Sequence, residues 1–143
     1  MIPRWVERYM QIPFVDLGRS PRGCDCLGLV RLVFAMETKI AFPDYGFVSS
    51  SDRKAIAKAI AAAKAADDLW SPVPIREAKP FDVVTMTSAD SRGEADHLGV
   101  MVSGTRVLHT EEASGPVCED ISSYSIRYRL EPRGAPVVHR FKA

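Results

Sequence analysis

Cysteine and histidine are scarce in this chain, with three of each in 143 residues. Three cysteines cannot build the multi-bridge framework of a small disulfide-stapled domain. Charge of one sign is lacking too. The 19 basic residues against 18 acidic ones leave a net charge of +1, without the basic footprint that nucleic acid or an anionic membrane surface attracts. Neither is expected as a partner. Nowhere do 18 apolar residues follow one another, so hydropathy gives no membrane-spanning helix. The run Met1–Met10 lacks the continuous apolar stretch of a secretory signal, which predicts synthesis in the cytoplasm. No internal repeat is present, and nothing calls for a cofactor.

With 46% hydrophobic residues, a chain of this length fits one domain, residues 1–143, around a single core. Pro3 opens a short helix expected to bury Trp5, Val6, Tyr9 and Met10 and to end by Pro13. From Leu27 the apolar residues Leu29, Val30, Val33, Phe34 and Met36 follow a helical period, with Asp25 as the N-cap. The cluster Ser49–Asp52 precedes an alanine-rich helix, Arg53–Leu69, whose Ile56, Ile60 and Ala63 form a narrow stripe; it should pack on the outside. Pro72, Pro74 and Pro80 make Ser71–Pro80 an extended connection into a strand at Asp82–Thr87. Ser88–Glu94 and Glu111–Pro116 read as loops, and Tyr124–Leu130 and Val137–Phe141 as short late strands. Helices first and strands after give an α+β order.

The run Gly23-Cys24-Asp25-Cys26-Leu27-Gly28-Leu29-Val30 sets Cys26 at the mouth of a helix. Unpaired N–H groups and the positive end of the helix dipole there favour a thiolate, which makes Cys26 the candidate nucleophile. A nucleophilic thiol needs a histidine base oriented by a third polar group. In Asp96-His97-Leu98-Gly99-Val100-Met101-Val102 the alternation of a half-buried strand puts His97 and Gly99 on one face. After the break Ser103-Gly104-Thr105, Arg106–Thr110 returns as the second strand of a hairpin and supplies His109. The two histidines share a face only if the loop is odd, and a loop Val102-Ser103-Gly104 with Gly104 left-handed meets that condition. Cys24 and Cys118 read as inert thiols, and His139, beside Arg140, as exposed.

These segments together resemble the NlpC-type cysteine peptidases of bacterial cell walls, whose core is similar to papain. Ile12-Pro13-Phe14 and Lys79-Pro80-Phe81-Asp82-Val83-Val84 also resemble that family's Thr-Pro-Tyr and Lys-Pro-Gly-Asp-Val-Val segments, so the likeness runs from Tyr9 to Thr110. It implies a papain-like α+β domain with N-terminal helices packed on an antiparallel sheet. It also implies Cys26 as nucleophile, His97 as base and His109 as orienting residue, with Phe14, Asp25 and Asp96 on the substrate side. Phe14 departs from a tyrosine, Leu27 from a serine and Phe81 from a glycine. A phenyl ring at Phe14 cannot donate a hydrogen bond, which leaves oxyanion stabilisation to backbone N–H groups such as that of Cys26.

The implied activity is hydrolysis of an amide bond in peptidoglycan stem peptides, often the one joining D-glutamate to the diamino acid. The form of residues 23–31 is similar to peptidases of phage tails and gene-transfer particles. That implies carriage at a virion tail tip against hub or baseplate proteins, with action at the periplasmic wall. Two alternatives stay open on the same residues: a structural tail-tip component with an inactive site, and a secreted amidase toxin. Zinc held by Cys24, Cys26, His97 and His109 fits poorly. Cys-x-Cys is shorter, and the 97-to-109 spacing wider, than metal knuckles use; no metal ligand is assigned.

Overall fold

The computed structural model describes residues 1–43, 45, 48–49, 51–66, 68–87, 94–127, 129–130 and 137–142. A 3-10 helix, Arg4–Tyr9, opens the chain, and a two-stranded ribbon of β1 (Arg19–Ser20) and β2 (Gly23–Cys24) leads into α1 (Cys26–Glu37). Then come α2 (Arg53–Ala65), β3 (Trp70–Val73), β4 (Val83–Met86), β5 (His97–Met101), β6 (Arg106–Glu111), β7 (Gly115–Asp120), the single turn α3 (Tyr124–Arg127) and β8 (Val138–Phe141). The last six strands form one antiparallel sheet in the order β3-β8-β4-β5-β6-β7. The expected combination of leading helices and an antiparallel sheet is therefore what forms.

The apolar periodicity of α1 packs Leu29, Val30, Val33 and Phe34 against one side of the sheet, with Val83, Val100 and Leu108 beneath and Val6, Tyr9 and Ile12 of the N-terminal segment alongside. The alternate strand residues Val84, Met86, Met101 and Val107 face the other way and are covered by Ile121 and Ile126. The sheet is thus buried on both sides in its middle, as two-layer packing on each face requires. Among the described residues no helix is long and apolar enough to cross a membrane.

Several expectations change. Met10 is exposed rather than buried, at 40%, because the 3-10 turn places Val6 and Tyr9 inward instead. The second helix ends at Ala65, not Leu69; Trp70–Val73 pairs with β8 as an edge strand, where the expected connection was extended but unpaired. Gly115–Asp120 is strand β7 where a loop is expected as far as Pro116, and Tyr124–Leu130, expected as a strand, holds a helical turn started by Ser123. His139 is buried, not exposed, because β8 is an interior strand between β3 and β4. Of the loop Ser88–Glu94, residues 88–93 lie outside the described residues.

Candidate active site

Asp25 organises the entry to α1. Its carboxylate accepts from the Gly28 N–H at 2.8 Å as the N-cap, from the Leu17 N–H at 3.0 Å and from the Arg19 guanidinium at 2.6 Å. Both oxygens are taken up within the chain, so Asp25 shapes the loop at the head of α1. The loop comes so close that a Cβ on Gly28 would overlap the Gly18 carbonyl oxygen; glycine at 28 is what lets the strap lie on the first helical turn. Cys24 is buried and donates to the Ser20 carbonyl. Phe14, half-buried, is bridged to Cys24 one step before the cap, and Asp96 is buried with its N–H on the Met86 carbonyl.

Cys26 begins α1 and is 8% exposed. Burial pushes its thiol up to about 11, Asp25 adds to that, and the N–H groups of Leu98 and Leu27 and the charge of Arg53 pull the other way. The dipole argument for a standing thiolate is therefore outweighed by desolvation. Cys26 and Leu98, the residue that follows His97, line one pocket.

The β5–β6 register pairs Val100 with Leu108 and Met101 with Val107. The Val102 N–H donates to the Arg106 carbonyl, so the loop is Ser103-Gly104-Thr105, one residue later than the expected Val102-Ser103-Gly104. Positive φ among the described residues occurs at Leu17, Phe81 and Gly115, so Gly104 is not left-handed. The loop is odd all the same, and His97 and His109 come together: Nε2 of His97 lies 2.9 Å from Nδ1 of His109, with the rings edge to face. Both are 1% exposed. A Cβ on Gly99 would come 2.7 Å from the Val107 side chain, so glycine there keeps the two strands in this register.

A residue that the sequence did not single out fixes the direction of this pair. Nε2 of His109 lies 3.1 Å from a carboxylate oxygen of Glu119, on β7. A carboxylate only accepts, so Nε2 of His109 carries the proton and its Nδ1 is bare. Nε2 of His97 then donates, and Nδ1 of His97 is left as a bare, basic nitrogen. Burial, followed by the charges of His109, Arg129 and Arg53, holds His97 well below the ordinary imidazole value. Burial holds His109 down as well, against the opposing hydrogen bond that it donates to Glu119.

Arg129 lies behind the pair, 5% exposed, with both guanidinium nitrogens 2.7 Å from the Glu111 carboxylate and its Nε on the Thr87 carbonyl. Among the described residues, the ligand atoms of His97, His109 and Glu111 come within 4.8 Å of one another, a set that includes neither Cys24 nor Cys26. Glu111 is held by Arg129 at both oxygens, and the facing histidine nitrogens are held by each other. A metal would have to break these bonds to enter. Neither β7 nor the Arg129 segment had a sequence signal that pointed to a site.

The model of the NlpC/P60 family matches residues 11–131. Among solved structures, a protein from Staphylococcus aureus described as similar to lipoprotein, of the NLP/P60 family, superposes with a TM-score of 0.59 at 22% identity, covering 93% of this chain. The chain spans 37% of that protein's length. The NlpC/p60 domain of the peptidoglycan hydrolase SagA superposes with a TM-score of 0.53 at 17% identity, over 84% of this chain and 86% of its own. At these identities the two structures speak for the fold. No curated protein sequence matches the chain. The family pattern spans all but the two ends of the chain, and the chain belongs to the NlpC/P60 family.

Proposed function

We propose that the chain is a cysteine peptidase that hydrolyses an amide bond in the stem peptides of peptidoglycan, the substrate class named for the structurally similar SagA domain. Cys26 is the nucleophile, His97 the base and His109 its orienting partner. The observation that carries the reading is the directed chain Glu119 to His109 to His97, which leaves one bare imidazole nitrogen on the residue adjoining Leu98, and Leu98 lines one pocket with Cys26. Thiol and imidazole are both neutral at rest. His97 therefore takes the thiol proton as the sulfur attacks the carbonyl, and gives it to the leaving amine when the tetrahedral adduct collapses to the acyl-enzyme. Water, deprotonated by the same nitrogen, releases the acid. Backbone N–H groups at the mouth of α1 are the available donors for the oxyanion, since Phe14 has no hydroxyl.

The finer reading concerns delivery. The form of residues 23–31 supports carriage on a phage-like tail tip, held by hub or baseplate proteins so that contact raises its effective concentration at the wall. Digestion of purified peptidoglycan, read by mass spectrometry, tests the chemistry: new stem-peptide ends with the native chain and none with Cys26→Ser. Intact muropeptides, or equal cleavage by Cys26→Ser, would reject it. Recovery of the chain from purified particles tests delivery, and export as a free protein with an inhibitor bound would favour the toxin.

A further inference from the structure

Beside Cys26 the structure holds a half-open pocket of about 80 Å³ between α2 and the sheet. Its walls include Ile56 and Ile60 of α2, Trp70 of β3, Val83 of β4 and Leu98 of β5. It exists because of sequence. The inward side of α2 carries Ala59 and Ala63 between and beyond its isoleucines, and methyl groups are too short to reach the sheet. Polar groups keep to the margin, where the Lys64 ammonium lies 3.4 Å from the Thr85 hydroxyl as its donor. Cys26 and Asp25 form the opposite end.

We propose that this pocket binds a short uncharged aliphatic group that the substrate carries next to the carbon Cys26 attacks. The inference rests on the reading of Cys26 as the nucleophile and adds a specificity to it. The chemistry follows from the walls. An apolar group entering gains contact and leaves water, whereas a charged group entering would lose hydration along a wall that offers it almost no partners. The volume sets the size. It is roughly half the ~150 Å³ of a dry cavity that accepts benzene, which suits a group of about four carbons. Continuity with the sulfur sets the place, since a group lodged there must lie within a few bonds of the atom that bonds to Cys26.

The test uses the thiol itself as the reporter, on the full chain. N-methylmaleimide, N-butylmaleimide and N-(3-carboxypropyl)maleimide each add Cys26 Sγ–H across the ring double bond, and peptide mapping separates addition at Cys26 from addition at Cys24 or Cys118. Each rate is divided by that of the same reagent with glutathione. Three further methylenes drawn fully into an apolar site should make N-butyl react up to about fiftyfold faster than N-methyl at Cys26. The ratio should fall towards one in Ala63→Phe and in Ala59→Leu, two variants that fill the space from different turns of α2. A ratio near one in the native chain overturns the pocket and leaves the nucleophile reading intact. Carboxypropyl outpacing butyl overturns it in favour of an anion drawn to Lys64. If Cys26 resists all three reagents while Cys118 reacts, the nucleophile reading fails and the pocket's role falls with it.

Discussion

His97 and His109 meet nitrogen to nitrogen at 2.9 Å although they are not cross-strand partners. Their strands pair Val100 with Leu108, a register that sets the two imidazoles diagonally across the ladder, within reach of long side chains. The diagonal leaves His109 free on its far side to meet Glu119, one strand further on.

That arrangement makes Glu119 a positioning residue. With Glu119→Ala, His109 loses the acceptor that fixes its tautomer, and Nδ1 of His97 is no longer kept bare. The expected result is a fall in kcat of roughly tenfold or more with KM little changed, as when a general base is mis-set. Glu119→Gln, which keeps an acceptor oxygen, should recover part of it. Imidazole nitrogen shifts in NMR report the tautomers directly. His97 should carry its proton on Nε2 in the native chain and populate both forms in Glu119→Ala. Unchanged shifts and unchanged kcat would remove Glu119 from the site.

The raised thiol and lowered imidazole predict an unusual pH dependence. Burial holds His97 well below its ordinary value, so it stays an unprotonated base as pH falls through 6.5, the ordinary imidazole value. The acid limb of kcat/KM should therefore lie well below that pH. Burial pushes the Cys26 thiol up to about 11, so its alkylation by iodoacetamide should keep rising through pH 9. A plateau reached by pH 6 would show a standing thiolate instead.

Local chemistry in this chain was legible and edge chemistry was not. Asp25 as N-cap, the period of α1 and the hairpin of His97 and His109 each depend on neighbours within a few residues, and each forms as the residues suggest. The hairpin's loop is displaced by one residue, which moves every partner by two and so leaves each side chain on its own face. Strand β7 gave no such signal. It starts Gly115-Pro116, is half-buried throughout and lies at the sheet's edge, where proline is tolerated and alternation is weak. Glu119 was missed for that reason. His139 is buried against expectation because position in a sheet, unlike period along a strand, is set by distant partners.

The buried imidazoles also bear on stability. A histidine whose folded pKa lies below its unfolded value favours the fold while neutral, and that advantage is lost as pH falls below about 6.5, where the unfolded chain takes up a proton that the fold refuses. Both His97 and His109 are lowered, by burial first. Urea midpoints should fall from pH 7.5 to 5.5, with a slope of at most about 1.4 kcal/mol per pH unit for each histidine. His109→Gln should flatten the dependence. A midpoint that does not move between these pH values would mean that the folded chain binds the protons as readily as the unfolded one.

Phe81 carries a strain that its stacking offsets. The Asp82 N–H donates to the Lys79 carbonyl, which makes Lys79-Pro80-Phe81-Asp82 a turn whose third residue has φ of 73°. Proline second and a left-handed residue third describe a type II turn, where glycine is the ordinary choice. Phenylalanine stands there with its ring stacked on Trp5, centroids 5.5 Å apart and planes 17° off parallel. Asp82 locks the turn through two 2.9 Å bonds from Arg140 and one from the Lys79 N–H. A side chain in the left-handed region costs about 1–2 kcal/mol, and an aromatic pair returns about 0.5–1.5 kcal/mol beyond its burial. Phe81→Ala keeps the strain and loses the ring, whereas Phe81→Gly loses both. Denaturant titration should therefore rank native above Phe81→Gly, and Phe81→Gly above Phe81→Ala by about 1 kcal/mol. An alanine variant as stable as the glycine variant would show that the turn relaxes its φ once the ring is gone.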